Sequence, residues 1–354
     1  MSERVLMKGN EALAEAAIRA GCHHFFGYPI TPQTEISAYM SKKLPKIGGV
    51  FLQAESEIAA VNMVQGAAAA GVRAMTSSSS PGISLKAEGI SYMAGADVPA
   101  LIINVQRGGP GLGGIQPSQA DYWQATKAVG HGDFHVLVFA PSTVQEMVDL
   151  VGGAFDLSDK YRVPSMILAD GMLGQMMEPV SFDKIKTKEQ IAKPWALTGT
   201  ELKRPHNIVN SLYLQASELE SKVNERFERY AKIERDECLY NEYLTEDAEY
   251  VVVAYGATAR IVQAAVKEAR AQGIKVGMFR PITLWPFPKA RLAELSANAK
   301  AFLCVEMSMG QMIDDVKLSI DCARPVEFFG RTGGIIPTPA EVLEAIKKLT
   351  GGAK

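Results

Sequence analysis

Short apolar segments alternate with helical segments along most of this sequence, and the alternation constrains the fold more than any other feature. In the first half, apolar strands at residues 24–28, 49–53, 73–77 and 100–106 are separated by segments with helical periodicity. Strands that alternate with helices form a mostly parallel sheet with helices on both of its faces. The pattern therefore predicts an α/β, doubly wound fold.

The alternation stops after Pro179 and resumes at Tyr250. A chain of 354 residues is long enough for two domains, each with its own core. Residues 1–180 are predicted to form one doubly wound domain, and residues 248–354 a second, smaller one. Residues 181–247 are polar and contain a charged amphipathic segment, which predicts a linker with a solvated helix.

Composition and charge exclude several classes of function. The net charge is −2 and no basic patch occurs, so no nucleic-acid partner is expected. The first residues lack the basic and apolar pattern of a secretory signal, and the longest apolar run, residues 90–105, is interrupted by Asp97 and Pro99. The sequence predicts a cytoplasmic protein that does not enter a membrane.

The sequence offers no pattern for a metal site. The histidines lack metal-ligand spacing, and no Cys-x-x-Cys pair occurs. The cysteines lie far apart, at Cys22, Cys238, Cys304 and Cys322. We therefore expect no metal and no iron–sulfur cluster on this chain; any electron carriers are expected on another chain.

Parallel sheets bind ligands beyond the carboxyl ends of their strands, and the loops at those ends carry the candidate residues. Residues 28–32 form a turn stiffened by two prolines, and this turn presents the Thr31 hydroxyl. Residues 76–82 offer a run of hydroxyls and bare backbone at a predicted helix start. Such a segment suits an anion or a polar ring.

Two charged residues stand out in the other loops. Glu57 begins an alanine-rich helix, where its carboxylate either caps the helix together with Ser56 or binds a ligand; Glu55 is the competing carboxylate. Arg107 ends an apolar strand before a glycine-rich loop, and its planar, two-pronged cation suits a carboxylate or a phosphate. The alternative for Arg107 is a surface residue beside a flexible segment.

Taken together, these loops resemble those of the α subunit of the thiamine diphosphate-dependent 2-oxoacid:ferredoxin oxidoreductases, most of all the 2-oxoisovalerate or branched-chain type. The matching segments are Tyr-Pro-Ile-Thr-Pro at 28–32, Glu-Ser-Glu-Ile-Ala-Ala at 55–60, Thr-Ser-Ser-Ser-Ser-Pro-Gly at 76–82 and Val-Gln-Arg-Gly-Gly-Pro at 105–110. The resemblance extends over nearly the whole chain. It implies that residues 1–180 form a pyrimidine-binding domain and residues 248–354 a transketolase C-terminal-like domain.

The resemblance also implies roles for the candidate residues. Glu57 is expected to hydrogen-bond the aminopyrimidine ring of the cofactor and so promote formation of the reactive ylid. Thr31 and Arg107 are expected to hold the carboxylate and keto group of the 2-oxoacid. The residues expected to bind the cofactor are Glu57, Tyr28, Pro29, Ile30, Ser79, Ser80, Pro81 and Gly82. The resemblance further implies that the decarboxylated intermediate is oxidised through iron–sulfur clusters and that its acyl group is transferred to coenzyme A.

A motif expected of a complete thiamine diphosphate site is missing from the sequence. The family binds the diphosphate and magnesium through Gly-Asp-Gly followed by Asn-Asn, and the nearest segment here, Gly132-Asp133-Phe134, breaks that pattern. The resemblance therefore implies half a site, completed by a β subunit that carries the diphosphate-binding domain, Mg²⁺ and a [4Fe-4S] cluster. A γ subunit, a small ferredoxin-like subunit and ferredoxin are further expected partners.

The substrate and the acceptor stay open at this point. A branched-chain 2-oxoacid requires an apolar pocket, whereas 2-oxoglutarate requires a second cation, for which Arg73, Lys86 and Lys127 are candidates. The pyrimidine-binding subunit of a lipoamide-linked 2-oxoacid dehydrogenase has the same domain order. A non-catalytic assembly subunit would also keep the fold.

Overall fold

The computed structural model describes residues 4–127, 129–185 and 191–351, so parts of the predicted first domain, linker and second domain lie outside the described residues. The strands are β1 (Val5–Lys8), β2 (His24–Gly27), β3 (Val50–Gln53), β4 (Ala74–Ser78), β5 (Leu101–Gln106), β6 (Leu137–Phe139), β7 (Ser165–Asp170), β8 (Met177–Val180), β9 (Tyr240–Tyr243), β10 (Tyr250–Val253), β11 (Val276–Pro281), β12 (Thr283–Trp285), β13 (Ala301–Glu306) and β14 (Val326–Gly330). The α-helices are α1 (Gly9–Arg19), α2 (Thr34–Lys43), α3 (Glu57–Ala69), α4 (Pro81–Gly95), α5 (Tyr122–Thr126), α6 (Val144–Tyr161), α7 (Gly171–Gln175), α8 (Ala216–Asp236), α9 (Thr258–Ala271), α10 (Lys289–Ser296), α11 (Met312–Ser319) and α12 (Pro339–Leu349).

The larger sheet has seven strands in the order β12-β6-β7-β5-β4-β2-β3. Strands β2 to β7 run parallel, and β12 is antiparallel to β6. Strands β4, β5 and β7 are buried along their whole length, because helices cover both faces of the sheet. The predicted doubly wound, mostly parallel fold is confirmed.

The smaller sheet has five strands in the order β14-β13-β10-β11-β9. Strands β10, β11, β13 and β14 are parallel, and β9 pairs antiparallel with β11. Helices α9 and α12 pack together over this sheet and bury an apolar core of their own around Val252, Val262 and Ile346. The resumed alternation of strands and helices predicts a second α/β unit, and this mostly parallel sheet with its helices is of the α/β class.

Two strands extend beyond the ranges expected from the sequence. Strand β9 belongs to the range predicted as linker, yet it forms the edge of the smaller sheet. Strand β12 belongs to the predicted second domain, yet it pairs with β6 at the edge of the larger sheet. The two units are therefore joined by shared strand pairing as well as by the chain between them.

The charged helix of the linker is α8. It buries Arg226, Tyr230 and Ile233, which are spaced to lie on one face, and leaves most of its other side chains exposed. None of the helices in the described part of the chain combines the length and apolar character that crossing a bilayer requires.

Candidate functional site

The turn after β2 is fixed by hydrogen bonds and leaves Thr31 exposed. Asn10 donates to the Pro32 carbonyl at 2.7 Å, and Gln33 donates to the Tyr28 carbonyl at 3.2 Å. Both amides are buried, so they hold the turn from its inner side. Tyr28 and Thr31 are exposed at the carboxyl edge of the larger sheet, as the sequence predicts for a ligand-binding loop. The neighbouring Pro29 is exposed and Ile30 half-buried.

Glu57 occupies the first position of α3 and is only 5% exposed. Ser56 caps the helix, since its hydroxyl accepts from the Ala59 amide at 3.2 Å, and no described residue donates a hydrogen bond to the Glu57 carboxylate. A Cβ on Gly82 would lie 2.6 Å from Glu57 Oε1 and 2.0 Å from Ser78 Oγ, so only glycine lets α4 begin this close. A buried carboxylate without a hydrogen-bond donor is suited to accept from a ligand.

Arg107 follows β5 and is 7% exposed. Its guanidinium donates to the Thr31 carbonyl at 2.9 Å and to the Leu112 carbonyl at 3.3 Å, while its buried Nε has no partner among the described residues. The side chain therefore links the turn after β2 to the glycine-rich loop. Of the two alternatives, a surface residue beside a flexible segment does not fit these contacts.

Ser80 connects β4 to α4 with a φ of 25°, which is an uncommon backbone conformation for serine. Its hydroxyl donates to the Asp121 carboxylate at 2.6 Å and accepts from the Arg107 amide at 3.1 Å. Asn104 accepts from the Ser80 amide at 3.1 Å and donates to Asp121 at 3.0 Å. Such a backbone persists where surrounding contacts over-determine it, and these contacts fix Ser80 between Arg107 and Asp121.

The hydroxyls of Ser77, Ser78 and Ser79, which precede Ser80, are buried. Ser77 donates to Gln33 at 2.6 Å, whereas the buried hydroxyls of Ser78 and Ser79 have no partner among the described residues. Pro81 stands at the first position of α4, next to Gly82. Of the predicted cofactor-binding residues on this segment, Gly82 therefore adjoins the open carboxylate of Glu57, whereas Ser80 is engaged by Arg107 and Asp121.

Sequence reasoning missed Asp121 and Asn104. Burial raises the pKa of the Asp121 carboxyl, and the hydrogen bonds from Ser80 and Asn104 and the charge of Arg107 oppose that rise. A signal for Asn104 was available, because it is a polar residue within the otherwise apolar strand β5. For Asp121, which lies in a loop, no comparable pattern exists.

The three cations that could bind the distal carboxylate of 2-oxoglutarate are paired with acidic residues or buried, and so are not available at this edge of the sheet. Arg73, at the opposite end of β4, binds Asp156 and Asp159 at 2.7 and 2.9 Å. Lys127 binds Asp315 at 2.5 Å. Lys86 is wholly buried beneath the start of α3.

A cleft of about 660 Å³ opens beside Thr31. The apolar side chains that line it are Pro32, Ile115, Pro117, Met172, Met176 and Ile336. Its charged lining residue is Glu35, which accepts hydrogen bonds from Asn10 and Gln175. A cleft with this lining suits an apolar or neutral group better than a second anion.

The cysteines contribute no metal site to this edge. Cys22 and Cys304 are wholly buried, and all four thiols are free. In the ranges that the structure describes, no group of three or more His, Cys, Asp or Glu side chains is arranged to hold a metal ion.

Two family models match the chain. Residues 15–237 match the thiamine diphosphate-binding domain of pyruvate flavodoxin/ferredoxin oxidoreductase, and residues 248–342 match core domain II of pyruvate:ferredoxin oxidoreductase. Among curated proteins, the ketoisovalerate oxidoreductase subunit VorB of Methanothermobacter marburgensis is 50% identical over 98% of each chain. The 2-oxoglutarate synthase subunit KorA of Methanothermobacter thermautotrophicus is 36% identical over 99% of this chain and 100% of its own.

Solved structures agree with these relatives. The 2-oxoglutarate:ferredoxin oxidoreductase of Magnetococcus marinus, with 2-oxoglutarate, coenzyme A and succinyl-CoA bound, matches with a TM-score of 0.87 at 26% identity. The match covers 98% of this chain and 65% of the other. A split-gene transketolase matches with a TM-score of 0.61 at 14% identity, which shows a shared fold alone.

Proposed function

Because the chain belongs to the 2-oxoacid:ferredoxin oxidoreductase family, we propose that it is the α subunit of an enzyme for branched-chain 2-oxoacids such as 2-oxoisovalerate. The reaction is oxidative decarboxylation to the acyl-CoA and CO₂, with electrons passing to ferredoxin. One observation carries this proposal: the open Glu57 carboxylate and the Arg107–Thr31 contact lie at the same edge of one parallel sheet. That edge is where such sheets bind ligands.

The residues present fit the pyrimidine half of thiamine diphosphate. Glu57 has a carboxylate that no described residue satisfies, and Gly82 leaves room beside it. Glu57 would accept a hydrogen bond from the ring. The Ser79 hydroxyl, which has no partner among the described residues, and the exposed Tyr28 are further proposed contacts of the cofactor. When bound, the cofactor supplies a nucleophilic carbon for attack on the keto group of the 2-oxoacid.

Arg107 and Thr31 would orient the 2-oxoacid. Two contacts hold the guanidinium in place, and its unpartnered Nε is left to donate to the substrate carboxylate. The exposed Thr31 hydroxyl can donate to the keto oxygen. Since the main chain of Arg107 is tied to Ser80, the cation stays in place before the substrate arrives.

The branched-chain substrate is favoured over 2-oxoglutarate by the surroundings of Thr31. The cleft there has mostly apolar walls and a carboxylate, and the candidate cations Arg73 and Lys127 bind acidic residues. An apolar substrate side chain is stabilised by such walls, whereas a distal carboxylate is repelled by Glu35. The identity to VorB points the same way. The KorA relatives keep 2-oxoglutarate as the second candidate.

The proposal requires partner chains. Relatives of this length are named as subunits, and the sequence lacks the Gly-Asp-Gly motif for diphosphate and Mg²⁺. We propose a β subunit that supplies the diphosphate-binding domain, Mg²⁺ and a [4Fe-4S] cluster, together with γ and small ferredoxin-like subunits. Exposed apolar side chains on α3 and α4, namely Ile58, Leu85 and Tyr92, line one surface depression and offer a docking surface for the β subunit.

Anaerobic copurification with the neighbouring gene products, followed by viologen reduction, tests the proposal. The complex should reduce viologen only with coenzyme A present, and 2-oxoisovalerate should give a higher kcat/KM than pyruvate, 2-oxoglutarate or aryl 2-oxoacids. A Glu57→Gln complex is the control for the role of this chain. Preference for 2-oxoglutarate would reassign the substrate. Acyl transfer to a lipoyl domain without viologen reduction would reject the ferredoxin enzyme, and full activity of Glu57→Gln would indicate a non-catalytic subunit.

A further inference from the structure

Lys86 is a fully buried cation, and no described residue forms an ion pair with it. It lies on α4 with no exposed surface, and its ammonium makes one hydrogen bond, to the main-chain carbonyl of Glu57 at 3.3 Å. Within the described ranges no carboxylate lies within 4.0 Å of it. Burying an ammonium with so little compensation is unfavourable, so Lys86 is expected to lower the stability of the chain.

Arg73 shows how the same fold compensates a buried cation. Arg73 is only 7% exposed, and two carboxylates, Asp156 and Asp159, bind it at 2.7 and 2.9 Å. No such pair of carboxylates binds Lys86 in the part of the chain that the structure describes. Burial lowers the pKa of Lys86 to about 8, and the nearby charge of Glu57 opposes that fall. Lys86 therefore stays largely protonated at neutral pH.

The position of Lys86 on α4 is also specific. Gly82, Lys86 and Gly89 are spaced to lie on one face of the helix, and this face packs against α3. A Cβ on Gly82 would meet Glu57, and a Cβ on Gly89 would lie 2.4 Å from Val61. Lys86 thus lies between two close contacts of the helices and donates to the first residue of α3.

We propose that Lys86 is a positioning residue for Glu57. It anchors the Glu57 main chain through the carbonyl at the first turn of α3, and so fixes the direction in which the Glu57 carboxylate is presented to the ring of the cofactor. This inference rests on the proposed function, because it assumes that Glu57 binds thiamine diphosphate. It explains why a residue that lowers stability occupies this position: stability is commonly lost at sites that serve function.

The assembled complex with Lys86→Met tests this inference. We expect the thermal midpoint of unfolding to stay the same or rise, because a buried charge is replaced by an apolar side chain of similar length. We also expect the thiamine diphosphate dissociation constant, measured by calorimetry on the cofactor-free complex, to rise by at least about tenfold. The KM for the 2-oxoacid should change less than kcat. If Lys86 only supported the packing of the helices, any loss of affinity would instead come with a fall in the unfolding midpoint.

Two further variants make the outcome decisive. Ile90→Val shortens another buried side chain of α4 and should lower the unfolding midpoint without changing cofactor affinity. Lys86→Gln keeps a donor for the Glu57 carbonyl without the charge and should fall between wild type and Lys86→Met in affinity. If the Lys86→Met complex does not assemble, the cofactor affinity and unfolding midpoint of Lys86→Gln are compared with those of wild type instead. Wild-type affinity in the Lys86 variants, or a loss of affinity that comes with a matching fall in the unfolding midpoint, would overturn the inference. Wild-type affinity in Glu57→Gln would instead reject the proposed function.

Discussion

Arg107 has a fixed main chain and a guanidinium with an unused donor, and this combination predicts the effect of Arg107→Lys. A single ammonium cannot keep both main-chain contacts and also donate to a carboxylate from the position of the Arg107 Nε. We therefore expect the KM for the 2-oxoacid to rise by about tenfold or more, with little change in thiamine diphosphate affinity. Steady-state viologen reduction and calorimetry measure the two quantities. Arg324→Lys, in the second unit, is the control, and an unchanged KM in Arg107→Lys would remove Arg107 as the carboxylate ligand.

Asp121 is expected to act on the substrate through Arg107. Asp121→Asn keeps the size of the side chain but removes the charge that faces Arg107 and weakens the acceptor for Ser80. We expect the KM for the 2-oxoacid to rise several-fold in the variant. In an Arg107→Lys background the same change should have a smaller effect, because the two residues belong to one network. Additive effects in the double variant would show that Asp121 acts independently of Arg107.

The residues that could be predicted from the sequence are those that lie directly at strand ends. Glu57, Thr31 and Arg107 each follow a strand that the alternation reveals, so a parallel sheet brings them to one edge. Asp121 and Lys86 could not be predicted in this way. Asp121 meets Ser80 across 41 positions and Lys86 meets Glu57 across 29, and such contacts depend on how α4 and a long loop pack.

Among the elements, α8, β6 and β12 meet at His135, and this junction predicts a pH dependence. The His135 ring stacks on Trp285 with centroids 4.6 Å apart and packs edge-on against Tyr230. Burial lowers the pKa of His135; the nearby Glu234 opposes the shift, and Lys127 and Lys289 add to it. The folded chain therefore favours neutral His135. Below pH 6.5 the unfolded chain binds a proton at this histidine more readily than the folded chain does, so the stability that His135 contributes above pH 6.5 is lost as the pH falls.

His135→Phe should remove this part of the acid sensitivity. Phe keeps a ring for the stack on Trp285 but binds no proton. We expect the unfolding midpoint of the variant to equal that of wild type above pH 7 and to fall less steeply below pH 6.5. Thermal unfolding at a series of pH values measures the difference. Parallel curves over the whole range would mean that His135 does not titrate differently on folding.

For the whole molecule, the α/β class and the two units could be predicted, because each long apolar strand is visible in the local sequence. The joint between the units could not. Strand β12 has three residues, and its partner β6 is far away in the chain, so no local pattern indicates the pairing. The same holds for Gln119, a wholly buried residue in a loop that carries no periodic signal.

The side chain of Gln119 joins the loop that carries Asp121 to the second unit, and we expect this contact to affect the candidate substrate site in the first unit. Its side chain donates to the Tyr255 carbonyl at 2.9 Å and accepts from Thr258 at 2.8 Å and from the Met307 amide at 3.0 Å. Gln119→Leu leaves these groups unpaired, so we expect a loss of about 3 kcal/mol in the free energy of unfolding. Because the loop also carries Asp121, the KM for the 2-oxoacid should rise as well. Denaturant unfolding and viologen assays of the complex measure both effects, with the exposed Gln263→Leu as control. A destabilised complex with an unchanged KM would mean that the second unit supports the fold without positioning the loop that orders Arg107.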